Sequence, residues 1–258
     1  MTEMIEYAPG TPSWVDLGSP DIDASVAFYE GLFGWQIPES PNAEQTGGYR
    51  TAMAGERAVA GGMPLMMEGQ PPAWMTYVSV DDADDIAARV AEAGGTVYAP
   101  PMDVLDLGRM AVFADSTGAA FGIWQPRAHK GAGLVNEPVS LSWNELNTRD
   151  PDAAKDFYRA VFGWDGRSQD MGMGEYVTFH RPDDTGVAGM IDMRGRIPDE
   201  VPAHWMVYFA VADTDATIAK ASELGATTTV GPIDIPIGRF AVLTDPQGAH
   251  FAVITLTP

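Results

Sequence analysis

Two acidic residues each stand two positions after a tryptophan: Asp16 in PSWVDL and Glu145 in LSWNEL. In a strand, residues i and i+2 share a face, so each carboxylate would lie beside an indole ring. Partial desolvation there raises a carboxyl pKa toward that of a useful general base. His250, near the C-terminus, is the third candidate, because an imidazole changes charge near neutral pH. Such a set would abstract and return protons, the chemistry of isomerases and lyases. Each residue also has a structural reading. Asp16 and Glu145 could pair with Arg109 or Arg239 or face solvent, and His250 could be a hydrogen-bonded core histidine.

Other chemistries lack their residues. The 258-residue chain has no cysteine, which removes disulfides, thiolate catalysis and cysteine-held metals. No G-x-G-x-x-G, P-loop, H-E-x-x-H or G-x-S-x-G motif occurs. With 15 basic and 36 acidic residues the net charge is −21. Such a surface repels phosphate backbones and anionic lipids, so neither nucleic acid nor membrane is an expected partner. No apolar run reaches the roughly 18 residues that suggest a membrane span. The opening MTEMIEYAPG lacks the features of a signal peptide. The expected location is the cytoplasm, with export lacking a recognisable signal left open.

The elements that position these residues follow from an internal repeat. FYEGLFGW (from Phe28) recurs as FYRAVFGW (from Phe157), an offset of 129 (157 − 28). GRMAVFADSTGAAFGI (from Gly108) recurs as GRFAVLTDPQGAHFAV (from Gly238), an offset of 130 (238 − 108). The chain therefore reads as domain 1 over residues 8–126, a Gly- and Pro-rich linker over 127–138, and domain 2 over 139–257. Each half divides again. Strands headed by Trp14, Trp74, Trp143 and Trp205 open four units. In the first, Ser19 or Asp21 caps a helix that Gly34 ends, with Val26, Tyr29, Leu32 and Phe33 as its apolar stripe. Three further short strands give β-α-β-β-β, four times over. The expected class is α+β: two tandem domains, each a pair of modules whose mixed sheet curls around a cleft.

The FYxxxFGW helix ends, the helix stops at Ala93–Gly95 and Leu224–Ala226, and the final DSTGAAFGIW and DPQGAHFAVI hairpins resemble those of the vicinal oxygen chelate superfamily. That group includes glyoxalase I, extradiol dioxygenases and bleomycin-resistance proteins. The chain is most similar to tandem glyoxalase-like proteins of actinobacteria, among them a mycobacterial secreted antigen; such proteins often carry the label hydroxylase or lyase. In metal-using members, ligands come from the first and closing strands of each module. Here the first-strand slots fall on Trp14, Trp143, either Trp74 or Met75, and either Trp205 or Met206. The closing slots fall on Gly61 or Gly62, Gly122, Gly189 or Met190, and Ala252. None offers the nitrogen or oxygen donor that a divalent ion needs, so no metal and no other cofactor is expected.

What fills the clefts follows from strand alternation. Domain 2 would gather Trp143, Trp205, Met206, Glu145 and His250. Domain 1 would gather Trp14, Trp74, Met75, Trp124 and Asp16, with no histidine. The tryptophans are either core packing or platforms for a flat ligand; Met63 and Met190 would also lie near the clefts. The expected function is binding, and metal-independent acid–base conversion, of a small hydrophobic or aromatic molecule in a lyase, isomerase or hydroxylase-type reaction. One alternative is a binding protein without chemistry. Another is a metal enzyme with displaced ligands drawn from Glu145, His250 and His204. Duplication suits a monomer, and a homodimer stays open.

Overall fold

A computed structural model describes residues 4–41, 43–67, 69–170 and 175–257. The first three residues of the stretch read for a signal peptide lie outside the described residues. Domain 1 runs β1 (Pro12–Ser19), α1 (Ile22–Phe33), β2 (Arg50–Ala54), β3 (Arg57–Pro64), β4 (Ala73–Ser79), α2 (Ala83–Glu92), β5 (Thr96–Val104), β6 (Gly108–Ala114) and β7 (Ala120–Pro126). Domain 2 runs β8 (Ser140–Thr148), α3 (Pro151–Phe162), β9 (Asp165–Asp170), β10 (Glu175–His180), β11 (Gly186–Asp192), β12 (His204–Ala210), α4 (Thr214–Glu223), β13 (Thr227–Ile235), β14 (Gly238–Thr244) and β15 (His250–Leu256).

Local sequence explains the helices. Asp21, Asp82, Asp150 and Asp213 each cap one, accepting a backbone N–H of its first turn. Asp21 therefore takes the role for which Ser19 was the alternative; Ser19 instead bonds the Ser25 hydroxyl at 2.7 Å. Gly34 and Gly163 end α1 and α3 in the left-handed conformation, with φ 71° and 72°.

The sheets are mixed and curled rather than closed. Their orders are β2-β3-β1-β4-β7-β6-β5 and β13-β14-β15-β12-β8-β11-β10-β9. In each, the first strands of the two modules pair antiparallel at the centre, β1 with β4 and β8 with β12. Each also pairs in parallel with its own module's closing strand, as β1 does with β3 and β4 with β7. Domain 2 has the added strand β9, where domain 1 has a single bridge between Gln36 and Met53.

The two sheets pack with their helix-bearing faces together. One buried core joins the α1 face of domain 1 to Phe209, Phe251 and the α4 region of domain 2. Another joins the α2 region to the α3 face. Buried polar bonds cross between them and are reciprocal. Tyr29 of α1 donates to Asp245 at 2.9 Å, and Tyr158 of α3 donates to Asp115 at 2.8 Å. Trp35 donates to the Val139 carbonyl and Trp164 to the Gly10 carbonyl, both at 2.8 Å. At the centre, Thr76 bonds Asn144 at 2.8 Å. The concave faces of the two sheets consequently point outward, away from each other.

After β7 the chain stays on domain 1. The Ala132 amide bonds the Ser13 carbonyl at 2.8 Å, and the Gly133 amide bonds the Ala58 carbonyl at 2.7 Å. This stretch fills the wedge that opens between β1 and β3.

Candidate active site: two carboxyl clefts

The helix caps fix the strand register. Trp14, Met75, Trp143 and Met206 each lie seven residues before the N-cap aspartate of the following helix (21 − 14, 82 − 75, 150 − 143, 213 − 206). They are equivalent positions, and they face the concave side. Two residues on, also facing the concave side, come Asp16, Tyr77, Glu145 and Tyr208. On the closing strands, Gly61 pairs with Asp16, Gly122 with Tyr77, Gly189 with Glu145 and Ala252 with Tyr208.

The even-module slots are thus Met75 and Met206, and the assignment of Trp74 and Trp205 to the clefts is corrected. One residue's difference in a strand reverses the face. Trp74 is buried against Tyr29, Trp35 and Phe209, and Trp205 against Tyr158 and Trp164. Both belong to the domain interface, as does Met190, which lies 1% exposed in its core.

Each cleft holds one carboxyl group between two phenols. In cleft 1, Tyr49 and Tyr77 hydrogen-bond Asp16, and Trp14 Nε1 donates to the Tyr49 hydroxyl at 2.7 Å. In cleft 2, Tyr208 donates to Glu145 Oε1 at 3.0 Å, Tyr176 also bonds Glu145, and Trp143 Nε1 donates to the Tyr176 hydroxyl at 2.9 Å. Indole donates to phenol and phenol to carboxylate, in the same order both times. Burial pushes Asp16 up to about 7, against the pull of its two phenol partners. Glu145 rises to about 7 for the same reason. Neither carboxylate meets Arg109 or Arg239. Those pair with Asp84 and Asp103, and with Asp215 and Asp234.

The closing-strand glycines are what admit the phenols. A Cβ on Gly61 would overlap the Tyr49 hydroxyl, one on Gly122 the Tyr77 ring, and one on Gly189 the Tyr176 hydroxyl. Aromatic rings therefore occupy the space into which closing-strand ligands would project. With indoles and thioethers at the first-strand slots and one carboxyl per cleft, these residues do not fit a metal ion. The displaced set does not fit either. His204 Nδ1 lies 2.9 Å from the Pro202 carbonyl. Among the described residues no three histidine, aspartate or glutamate side chains gather closely enough to hold a metal ion.

His250 is also corrected. It opens β15, two residues before that strand's first pairing with β12 at Tyr208–Ala252. Its side chain is exposed and bonds Thr244 at 2.9 Å, whereas Glu145 takes its bonds from Tyr208 and Tyr176. Alternation gave its face but not its depth. Cleft 1, expected to lack a histidine, has one. His129, from the linker, stands edge-on to Trp14 at 4.4 Å and to Trp124 at 5.5 Å between ring centroids. Burial lowers it to about 4.

The clefts differ in their cover. Cleft 1 packs Trp14, Tyr77 and Trp124 with Tyr7 of the N-terminal segment and Ala132 of the linker. Among the described residues, the cluster in cleft 2 consists of strand residues, including Met206, Tyr208, Ala252 and Ile254, and Trp143 is half-buried. A small pocket under α1, beside Trp35 and Trp74, lies outside both.

The Glyoxalase/Bleomycin resistance protein/Dioxygenase superfamily model matches residues 11–123 and 140–253. The whole chain is 45% identical to "Putative glyoxylase CFP32" of Mycobacterium tuberculosis, over 99% of that protein. It is 43% identical to "Anthracycline biosynthesis protein DnrV" of Streptomyces peucetius, over 98% of this chain and 96% of that one. Among solved structures, the Mn(II)-bound glyoxalase from Novosphingobium aromaticivorans aligns with a TM-score of 0.65 at 17% identity, over 96% of this chain and 82% of that one. The 2,3-dioxygenase LapB from Pseudomonas sp. KL28 aligns with the same TM-score at 13% identity, over 96% and 93%. These two likenesses concern the fold alone. With its model matched twice, across both halves, the chain belongs to the Glyoxalase/Bleomycin resistance protein/Dioxygenase superfamily.

Proposed function

We propose that this protein binds a small hydrophobic or aromatic molecule and transfers a proton on it, in a lyase- or isomerase-type reaction that uses no metal. The observation that carries this reading is the buried carboxyl group of each cleft, held by two phenols and raised to about 7. Such a group exchanges protons readily at neutral pH. Glu145 is the favoured base, because Trp143 beside it is half-buried where Trp14 beside Asp16 is buried. Asp16 is its counterpart in cleft 1. Trp14, Trp124, Trp143, Met75 and Met206 would form the apolar walls. The 43% identical relative named for anthracycline biosynthesis supports a planar, carbonyl-bearing substrate. The protein would act in the cytoplasm as a monomer or homodimer.

The test is carbon-acid exchange. An anthracyclinone incubated with the protein in D2O should gain deuterium next to a carbonyl. The E145Q variant should lose the cleft 2 share of that rate, and D16N/E145Q should lose roughly 10²–10⁴-fold. Equal exchange by wild type and the double variant would refute the reading.

A second reading is a binding protein that leaves its ligand unchanged. Its support is that each carboxyl, 7% exposed, already has its donors within the protein. Bound anthracyclinone recovered without deuterium would favour it.

A further inference from the structure

His129 lies outside the repeated units, in the stretch that crosses from one domain to the other. The chain holds it firmly. Its amide bonds the Leu107 carbonyl at 3.0 Å, and its carbonyl accepts Trp124 Nε1 at 2.8 Å. Close by, the Tyr7 hydroxyl ties down the Ala132 carbonyl at 2.7 Å. The imidazole is thereby set between the indoles of Trp14 and Trp124. Among the described residues, neither ring nitrogen has a hydrogen-bond partner. A fixed polar group, bare of partners and framed by aromatic rings, has the form of a recognition element.

We propose that cleft 1 is a binding site for planar hydroxylated aromatic molecules, in which the His129 imidazole accepts the hydrogen of the ligand's hydroxyl group. The proposal rests on the reading of the clefts as small-molecule sites. Framing indoles favour an aromatic ring through edge and offset contacts. Burial keeps the imidazole uncharged above about pH 4, so one ring nitrogen offers a lone pair at neutral pH. An aromatic hydroxyl supplies the matching donor. His129 is half-buried, so a ligand without that donor would strip water from the nitrogen and leave it unpaired, which is the more costly state.

The probe is 2-naphthol, with 2-methoxynaphthalene as the analogue of similar shape that lacks the donor. Calorimetry on the wild-type protein should show 2-naphthol binding about tenfold more tightly at one site. The H129F variant keeps a ring between the indoles and removes the nitrogens. It should hold 2-methoxynaphthalene as before and lose the tenfold preference. On the wild-type protein, NMR of the four histidines should show one imidazole signal moving with 2-naphthol, and that signal should be missing from H129F. Binding of 2-naphthol with an unmoved His129 signal and an unchanged preference in H129F would overturn the role of His129 while leaving the cleft as a binding site. Binding to neither protein would overturn the ligand class, and the exchange experiment in D2O would still judge the proton-transfer reading by itself.

Discussion

The domain interface and the clefts use one arrangement to different ends. At the interface, Trp74 donates to Tyr29 and Tyr29 to Asp245; Trp205 donates to Tyr158 and Tyr158 to Asp115. In the clefts, Trp14 serves Tyr49 and Asp16, and Trp143 serves Tyr176 and Glu145. The difference lies behind the carboxylate. Asp115 accepts the amides of Thr117 and Ala119, and Asp245 those of Gln247 and Ala249. The groups bonded to Asp16 and Glu145 are phenols. Turn amides make the interface acid a fixed anchor. Without them, burial leaves the cleft acid close to gaining or losing a proton at pH 7. Surroundings, not the three residue types, decide whether such a chain locks two domains or is available for chemistry.

The comparison can be broken at its tryptophans first. W205A should cost about 3–5 kcal/mol, because it empties a buried site in the shared core. W143A, at a half-buried position, should cost clearly less. Denaturant unfolding of both variants checks this, and equal losses would erase the distinction between lock and cleft.

A smaller effect concerns pH. In the folded protein Asp16 stands at about 7, above its ordinary 3.8. Between about pH 4 and 7 the folded state therefore binds more protons than the unfolded state, and this group's contribution to stability falls as pH rises. D16N removes the titration. Relative to wild type, the variant should gain on the order of 2 kcal/mol between pH 5 and pH 8. A constant difference across that range would sink the assignment.

The smallest effect sharpens the clefts alone. Y208F deletes a bond that pulls Glu145 down, so the Glu145 titration should move further above 7. The matching interface change, Y158F, should leave it in place. Carboxyl-carbon NMR of the two variants reads both shifts.

Much of the fold could be read from particular residues. The 129-residue repeat, the capping aspartates and Gly34 or Gly163 place domains and helices by local rules. The faces of β1 and β8 follow from alternation once Trp14 is set. Trp74 and Trp205 misled because they sit one position before the true slots at Met75 and Met206. The seven-residue spacing to each helix cap holds the signal that separates them. Tyr49 and Tyr176 were harder. Tyr49 lies just before β2 and Tyr176 within β10; their offset, 127 (176 − 49), departs from the repeat, and no spacing ties them to Asp16 or Glu145. His129 was out of reach for a related reason. It lies in a segment without periodicity, whose course is set by backbone bonds to Leu107, Ser13 and Ala58 that no local pattern signals.

The reciprocal tryptophan clamps have a consequence for synthesis. Tyr29 finds Asp245 across 216 residues, and Trp164 finds Gly10 across 154. Domain 1 leaves the ribosome first, with the apolar flank of α1 and the Trp74 ring bare until β15 has been made. Pairings so distant along the chain form slowly. The nascent protein is therefore most prone to aggregation while its second half is still being translated, and a ribosome stalled in the linker would present that surface at its most exposed.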